Sequence, residues 1–325
     1  MELRAQESQL LDLRKELRAE DHVGGDVYNG IRNLEPIVER LKVEFDQDFM
    51  PQHSQLQLIS PRSFFTGQLF HVKSRATPRA ASVEFPLATA PSVYPRFVGP
   101  ELRQCDGLVF MALLNLCRDY RLGKQTCFSP VAMAKALWEQ YNGKQLERLR
   151  RSIQRLQRST IEFVDLTVQL VQRFDHPRSG DWSVGLDRDI VELFNRESHT
   201  WLELPVRSQL REGLATWLYG YVCSQQRLIP TPISELRARC GSDAKDKAFR
   251  EMLLGALHQL ADSGIIDSGW YLNAERVHWM KPRHAELVSN QRTTPAPTAS
   301  AEPVQASLTY DEAAAQLFRP SRERG

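Results

Sequence analysis

The chain has little cysteine to work with. Its five cysteines, Cys105, Cys117, Cys127, Cys223 and Cys240, are odd in number and form no C-x-x-C pair. That argues against a disulfide framework and against structural zinc, and they read as reduced thiols, mostly core, in a cytosolic protein. Long apolar runs are missing too. The longest, Leu108 to Leu114, falls far short of the ~20 residues a membrane-spanning helix needs. The opening residues, Met1 to Glu7, are charged and polar, without the apolar core of a signal peptide. The expectation is a cytoplasmic protein with no membrane partner. Nor does one sign of charge dominate. Forty-two Lys and Arg against forty Asp and Glu leave +2, which excludes a uniformly basic coat protein.

Catalytic signatures are also absent. Gly123-Lys124-Gln125-Thr126 has neither the earlier glycine of a phosphate loop nor the Ser or Thr directly after its lysine; Arg118 and Gln125 occupy those positions. The eight histidines are scattered, with no H-x-H pair. Asp187 and Asp189 read as a surface pair at a strand end and not as a metal site. The expectation is a binder, with no catalytic residue, metal or cofactor.

What is present is an ordinary core and an organised one. The chain is 42% hydrophobic and 25% charged over 325 residues, too apolar for full disorder and long enough for about two domains at roughly 150 residues each. Residues 1–66 read as a helical and flexible arm. Leu10, Leu11, Leu13 and Leu17 precede a Gly24-Gly25 break, and Ile31, Leu34, Ile37, Leu41 and Val43 come after it. Such a pattern covers too few heptads for a coiled coil. Residues 286–325 read as a disordered tail: Thr293-Thr294-Pro295-Ala296-Pro297-Thr298-Ala299-Ser300 cannot bury enough apolar surface to offset the entropy of ordering.

Between them one order of elements occurs twice, in residues 67–205 and 206–285. In the first unit a helix is expected over Pro100–Tyr120, then an extended Thr126-Cys127-Phe128. Ser129-Pro130 supplies a cap and a first-turn proline for a helix to about Gln140. After the turn at Tyr141-Asn142-Gly143 a helix runs over Lys144–Ser159. A hairpin comes next, leaving along Ile161–Val168, turning at Asp175–Gly180 and returning over Trp182–Leu186. The second unit has a helix over Ser208–Gln225, an extended piece before Thr231-Pro232, and a short helix to Cys240. A long helix over Ala244–Ser263 stops at Gly264, and a hairpin turns through Asn273-Ala274-Glu275. The fold class is α+β: two tandem winged-helix domains, each a helix-turn-helix plus β-hairpin, between a helical arm and a disordered tail.

The first long helix carries the charge. Leu146, Leu149, Ile153 and Leu156 build one apolar stripe. Arg148, Arg151, Arg155 and Arg158 repeat the same steps two residues out of phase, roughly 200° around the helix, and so are expected opposite the core. With Lys144 and Arg150 there are six cations against Glu147. This segment therefore holds +5 and the rest of the chain −3. Solvated helix faces usually mix signs, because opposite charges at i,i+4 stabilise them; a one-sign stripe calls for an anionic partner. Duplex DNA fits, since arginine pairs with phosphate and with guanine edges. Candidate contacts are Lys144, Gln145, Arg148, Arg151, Gln154, Arg155 and Arg158, together with Lys245, Lys247 and Arg250 in the first turns of the second long helix.

Several runs resemble TrfA-type plasmid replication initiators. They are Cys240-Gly241-Ser242-Asp243, Phe249-Arg250-Glu251, Ser263-Gly264-Ile265-Ile266, Val277-His278, Leu69-Phe70-His71-Val72, Gly99-Pro100-Glu101-Leu102-Arg103 and Asp189-Ile190-Val191-Glu192-Leu193-Phe194. The resemblance implies a bacterial protein that binds direct repeats (iterons) in double-stranded origin DNA through two winged helices. It implies origin opening, recruitment of the host replicative helicase, and a monomer–dimer equilibrium. It also implies a sliding-clamp peptide upstream of the first winged helix. Gln55, Leu56, Leu58 and Ile59 occupy that position, with Ile where the family has Phe, and Gln316-Leu317-Phe318 is a shorter candidate. The same architecture would serve a winged-helix transcriptional repressor, which is the alternative reading.

Overall fold

The computed structural model describes residues 50–51, 53–54, 56–87, 95–120, 122–138, 142–196 and 198–282. The expected arm before residue 50, the expected tail after 285 and Gln316-Leu317-Phe318 lie outside the described residues. Residues 1–51 and 52–325 are separate compact units, and every helix and strand among the described residues belongs to the second.

Two elements, β1 (Gln57–Pro61) and α1 (Arg62–Thr66), precede the strands β2 (Val83–Pro86) and β3 (Arg96–Gly99). The first helix-turn-helix unit comprises α2 (Gln104–Cys117), β4 (Gln125–Phe128), α3 (Pro130–Trp138) and α4 (Gly143–Gln157). Four short strands come next: β5 (Thr160–Glu162), β6 (Thr167–Gln169), β7 (Arg173–Asp175) and β8 (Trp182–Gly185). A 3-10 turn at Arg188–Val191, α5 (Glu192–Asn195), β9 (His199–Glu203) and α6 (Leu204–Gln209) connect to the second unit. That unit comprises α7 (Leu214–Ser224), β10 (Thr231–Pro232), α8 (Ile233–Arg239), α9 (Asp246–Asp262), β11 (Tyr271–Leu272) and β12 (Arg276–His278).

The two units share a sheet topology as well as an element order. The first sheet runs β4-β8-β7 and the second β10-β12-β11. In each, the strand ahead of the helix-turn-helix pairs antiparallel with the second strand of the closing hairpin. This is a winged helix, present twice. The first unit adds a four-stranded sheet, β2-β3-β5-β6.

Three expectations are corrected. The single long hairpin after α4 is two hairpins, because its outgoing strand folds back on itself. Phe163 N–H donates to the Leu166 carbonyl at 2.7 Å, closing a tight turn, and β5 pairs with β6. Leu170 and Val171 are both buried, so the period of two that one strand would need is broken there. Only β7 and β8 form the wing. Second, the helix expected over Ser208–Gln225 is two helices. Gly213 between them has φ 129°, a conformation that L side chains rarely adopt. Third, α2 starts at Gln104 instead of Pro100. Asp106 at the third helical position accepts the Arg103 N–H at 2.8 Å, which supplies the cap at that point. Gly264, at φ 67°, ends α9 as its place after the last apolar residue predicts.

Core packing ties the units together. One cluster contains Leu58 of β1, Phe65 of α1, Met111 of α2 and Leu202 of β9 along with Trp217, Leu236, Phe249 and Leu257 of the second unit. Trp217, Tyr221 and Trp279 stack in series, with ring centroids 5.2 and 5.8 Å apart. The segment after α1 is stitched to both units: His71 N–H donates to the Leu102 carbonyl at 3.0 Å and Val72 N–H to the Cys240 carbonyl at 2.8 Å.

Candidate nucleic-acid interface

In α4, Asn142 caps the helix through its side-chain oxygen, which accepts the N–H groups of Lys144 and Gln145 at 2.9 and 3.2 Å. Leu149, Ile153 and Leu156 are fully buried, and each such side chain contributes about 1.5–3 kcal/mol by leaving water. Leu146 is only half-buried. The helix is therefore anchored on its apolar stripe, in the place of a recognition helix.

Its arginines divide into two rows, which corrects the expectation that all lie opposite the core. Arg148 and Arg155 stand four and three residues from the buried Ser152, so they border the packed face. Arg155 pairs with Asp106 of α2 at 2.6 Å. Arg148 pairs with Glu212, its guanidinium 4.6 Å from the Trp138 ring centroid. Lys144, Arg151 and Arg158 form the outer row and are exposed. Among the described residues Arg151 reaches only Glu147, at 2.5 Å, and its side chain is 65% exposed, open to a further partner. Gln154 lies beside the wing, with Nε2 3.4 Å from His176 Nε2. Gln145 is half-buried.

Asp106 is the hub of the inner row. It is fully buried and accepts from Arg79 at 2.6 Å, from both Arg155 Nε and Nη2, and from Ser152. Burial alone would raise its pKa. The Arg155 and Arg79 charges, with the hydrogen bonds from Arg155 and Ser152, outweigh that and hold the carboxyl below the ordinary aspartate range. A similar pair sits nearby, where buried Glu101 accepts from Lys73 at 2.8 Å and Arg103 at 2.7 Å.

Sequence reasoning missed the other wall of this region. A groove of about 670 Å³ runs between α4 and the segment after His71, lined by Lys73, Arg75 and Arg79 across from Lys144, Arg148 and Arg151. Residues 73–82 contain three cations and no acid, a signal legible in the sequence. Asp106 and Glu212 offered none, because they lie 49 and 64 residues from the arginines they hold.

In the second unit Lys245 and Lys247 are exposed at the start of α9. Arg250 is not free: it donates to the carbonyls of Ala274 and Asn273 at 3.0 and 2.8 Å, bracing the turn of the wing. That turn is built by Asn273, whose side-chain oxygen accepts the N–H groups of Glu275 and Arg276. Among the described residues no cluster of His, Cys, Asp or Glu could hold a metal ion, and no helix is long and apolar enough to cross a membrane. Asp187 and Asp189 are not strand residues as expected. Asp187 caps the 3-10 turn by accepting the Asp189 N–H at 3.1 Å.

The clamp-peptide candidates are built into the fold. Gln55 lies outside the described residues. Leu58 and Ile59 are fully buried in β1, which pairs along its length with β9; Leu56 is half-buried, and its carbonyl accepts the Leu204 N–H at 2.8 Å. Leu58 and Ile59 are not presented to a partner in this fold.

The TrfA protein family model matches residues 43–281, a span that includes both winged helices. The chain belongs to the TrfA family. Within this TrfA-family chain, the resembling runs fall at junctions: Cys240–Asp243 forms the turn between α8 and α9, and Asp189–Phe194 spans the connector between the units. Two crystal structures are similar at low identity. One is the Pi initiator protein in complex with iteron DNA (TM-score 0.47, 12% identity, covering 71% of this chain and 100% of that one). The other comprises domains 2 and 3 of RctB (TM-score 0.47, 12% identity, covering 67% and 96%). No curated protein matches the chain.

Proposed function

We propose that this TrfA-family chain initiates plasmid replication by binding direct repeats in duplex origin DNA with both winged helices. It acts in the bacterial cytoplasm as a binder, without catalytic chemistry of its own. The observation that supports this best is the doubled topology, β4-β8-β7 and β10-β12-β11, with an exposed cationic row on the first recognition helix. In this reading Lys144, Arg151 and Arg158 meet phosphates and Gln154, beside the wing, meets a base edge. Lys245 and Lys247 meet the backbone at the second half of the site. Opening of the origin, recruitment of the host helicase and a monomer–dimer equilibrium belong to this reading through family membership alone.

The deciding experiment has two arms. In the first, anisotropy titration with the origin repeats compares the wild-type chain with Lys144→Glu/Arg151→Glu/Arg158→Glu. Binding should be lost while the circular dichroism spectrum and melting temperature hold; retained binding rejects α4 as the reader. In the second, a plasmid carrying only the origin and this gene is introduced into a host. Replication supports an initiator, whereas tight binding without replication supports the repressor reading.

A further inference from the structure

The long helices α4 and α9 carry a glutamate at the same place. Leu149, Ser152, Ile153 and Leu156 of α4 and Leu253, Ala256, Leu257 and Leu260 of α9 are buried with the same spacing. Matched one for one, these residues set Glu251 of α9 where α4 has Glu147. They also set Leu254 and Gly255 where α4 has Arg150 and Arg151.

The exchange changes what the carboxylate can do. In α4 both arginines hold Glu147, Arg150 at 2.7 Å and Arg151 at 2.5 Å. In α9 neither position carries a cation. Glu251 lies roughly 200° around the helix from buried Leu253 and is exposed. Among the described residues no hydrogen bond or ion pair reaches it, from Lys247 one turn earlier or from any other donor. Gly255 bares the same face. Glycine inside a helix is destabilising, and a Cβ added here would meet nothing within 4 Å, so no packing constraint requires it. What it permits is close approach of the helix to another surface.

A carboxylate facing DNA is repelled by phosphate and needs a donor on a base edge. The major groove offers two, the amino groups of cytosine and adenine. Adenine sets its N7 acceptor beside that amino group, which disfavours a carboxylate, and cytosine does not. We propose that Glu251 reads a cytosine in the half-site of the second winged helix by accepting from its N4 amino group. Gly255 admits α9 to the depth this contact needs. The inference rests on the proposed function, in which α9 enters the major groove.

The test is anisotropy titration of the full chain on the origin repeat, with each base pair replaced in turn. For wild type, replacing one C·G pair in the second half-site should cost roughly 5- to 150-fold in affinity, the range of a single mismatch. Glu251→Ala should abolish that penalty. Glu251→Gln should move the preference to A·T, because a carboxamide pairs with adenine N6 and N7. Both variants should keep the wild-type melting temperature, since the side chain is exposed. Glu147→Gln is the control for loss of charge and should leave every base preference in place. An unchanged preference profile in Glu251→Ala overturns the proposal, and a uniform gain of affinity for all sequences marks the carboxylate as a repulsive bystander. An equal change of profile in Glu147→Gln overturns it as well. A wild-type chain that binds no repeat overturns the proposed function too, whereas an unchanged profile with intact binding overturns this inference alone.

Discussion

The two recognition helices, α4 and α9, hold their charge differently. Around α4 the acids that hold the inner arginines sit on other elements, Asp106 in α2 and Glu212 after α6, and only Glu147 lies in the helix itself. In α9 the balancing acids sit in the helix itself, where Asp246, Glu251 and Asp262 accompany Lys247 and Arg250. The first arrangement fastens the inner arginines to the fold and leaves an outer row at the surface. The second gives a nearly neutral helix whose arginine braces the wing. A count of cations therefore overstates the charge that a helix can offer to DNA.

The contrast breaks most easily at Asp106. Asp106→Ala leaves Arg79 and Arg155 facing each other in a buried site, and removal of one partner from such a network costs about 3–5 kcal/mol. Arg155→Glu, which sets a second carboxylate beside Asp106, should do comparable damage. Urea denaturation reads both, and a midpoint within error of wild type would mean that the network does not hold α4 on α2. No change of that size is expected from Arg151→Glu, because that side chain is 65% exposed.

DNA affinity separates the outer rows next. Loss of Lys144, Arg151 and Arg158 should lower the slope of log affinity against log salt by roughly 0.9 for each phosphate contact removed. Lys245→Glu/Lys247→Glu should lower it less, having fewer contacts to remove. Equal slopes in the two variants would erase the asymmetry between the helices.

Acidity tests the same hub. The folded Asp106 pKa lies below its unfolded value of about 3.9. Its contribution is therefore complete above that value and is lost as pH falls through the folded one. Asp106→Asn should flatten this acid limb in a stability–pH curve, while α9 acids replaced by their amides should leave it steep.

The smaller effects concern the surface. Arg250→Ala removes two hydrogen bonds to the wing turn, at a cost of about 1 kcal/mol, and should speed amide exchange at Asn273–Arg276. Smaller still, Glu147→Gln should tighten DNA binding slightly. The hydrogen bonds from Arg150 and Arg151 draw the Glu147 carboxyl down to about 2, so it competes with phosphate for Arg151.

Much of the fold is legible locally. The apolar stripe of α4, the Ser129-Pro130 entry to α3, the stop at Gly264 and the Asn273 turn each depend on residues a few positions apart. The split of the first hairpin was less so. Leu170 and Val171 read equally well as part of an alternating strand, and only pairing of β5 with both β3 and β6 fixes the break. The site was half legible. Periodicity identifies an arginine-rich helix but not which arginines remain open.

By itself the sequence determined the order of elements, their doubling, and the concentration of positive charge on one amphipathic helix, because each depends on spacing along the chain. Tertiary structure decided the rest. It paired Arg148 and Arg155 with distant acids and buried Leu58 and Ile59 in a strand. Those outcomes depend on which groups the fold brings within a few ångströms, and separation in sequence carries no information about that.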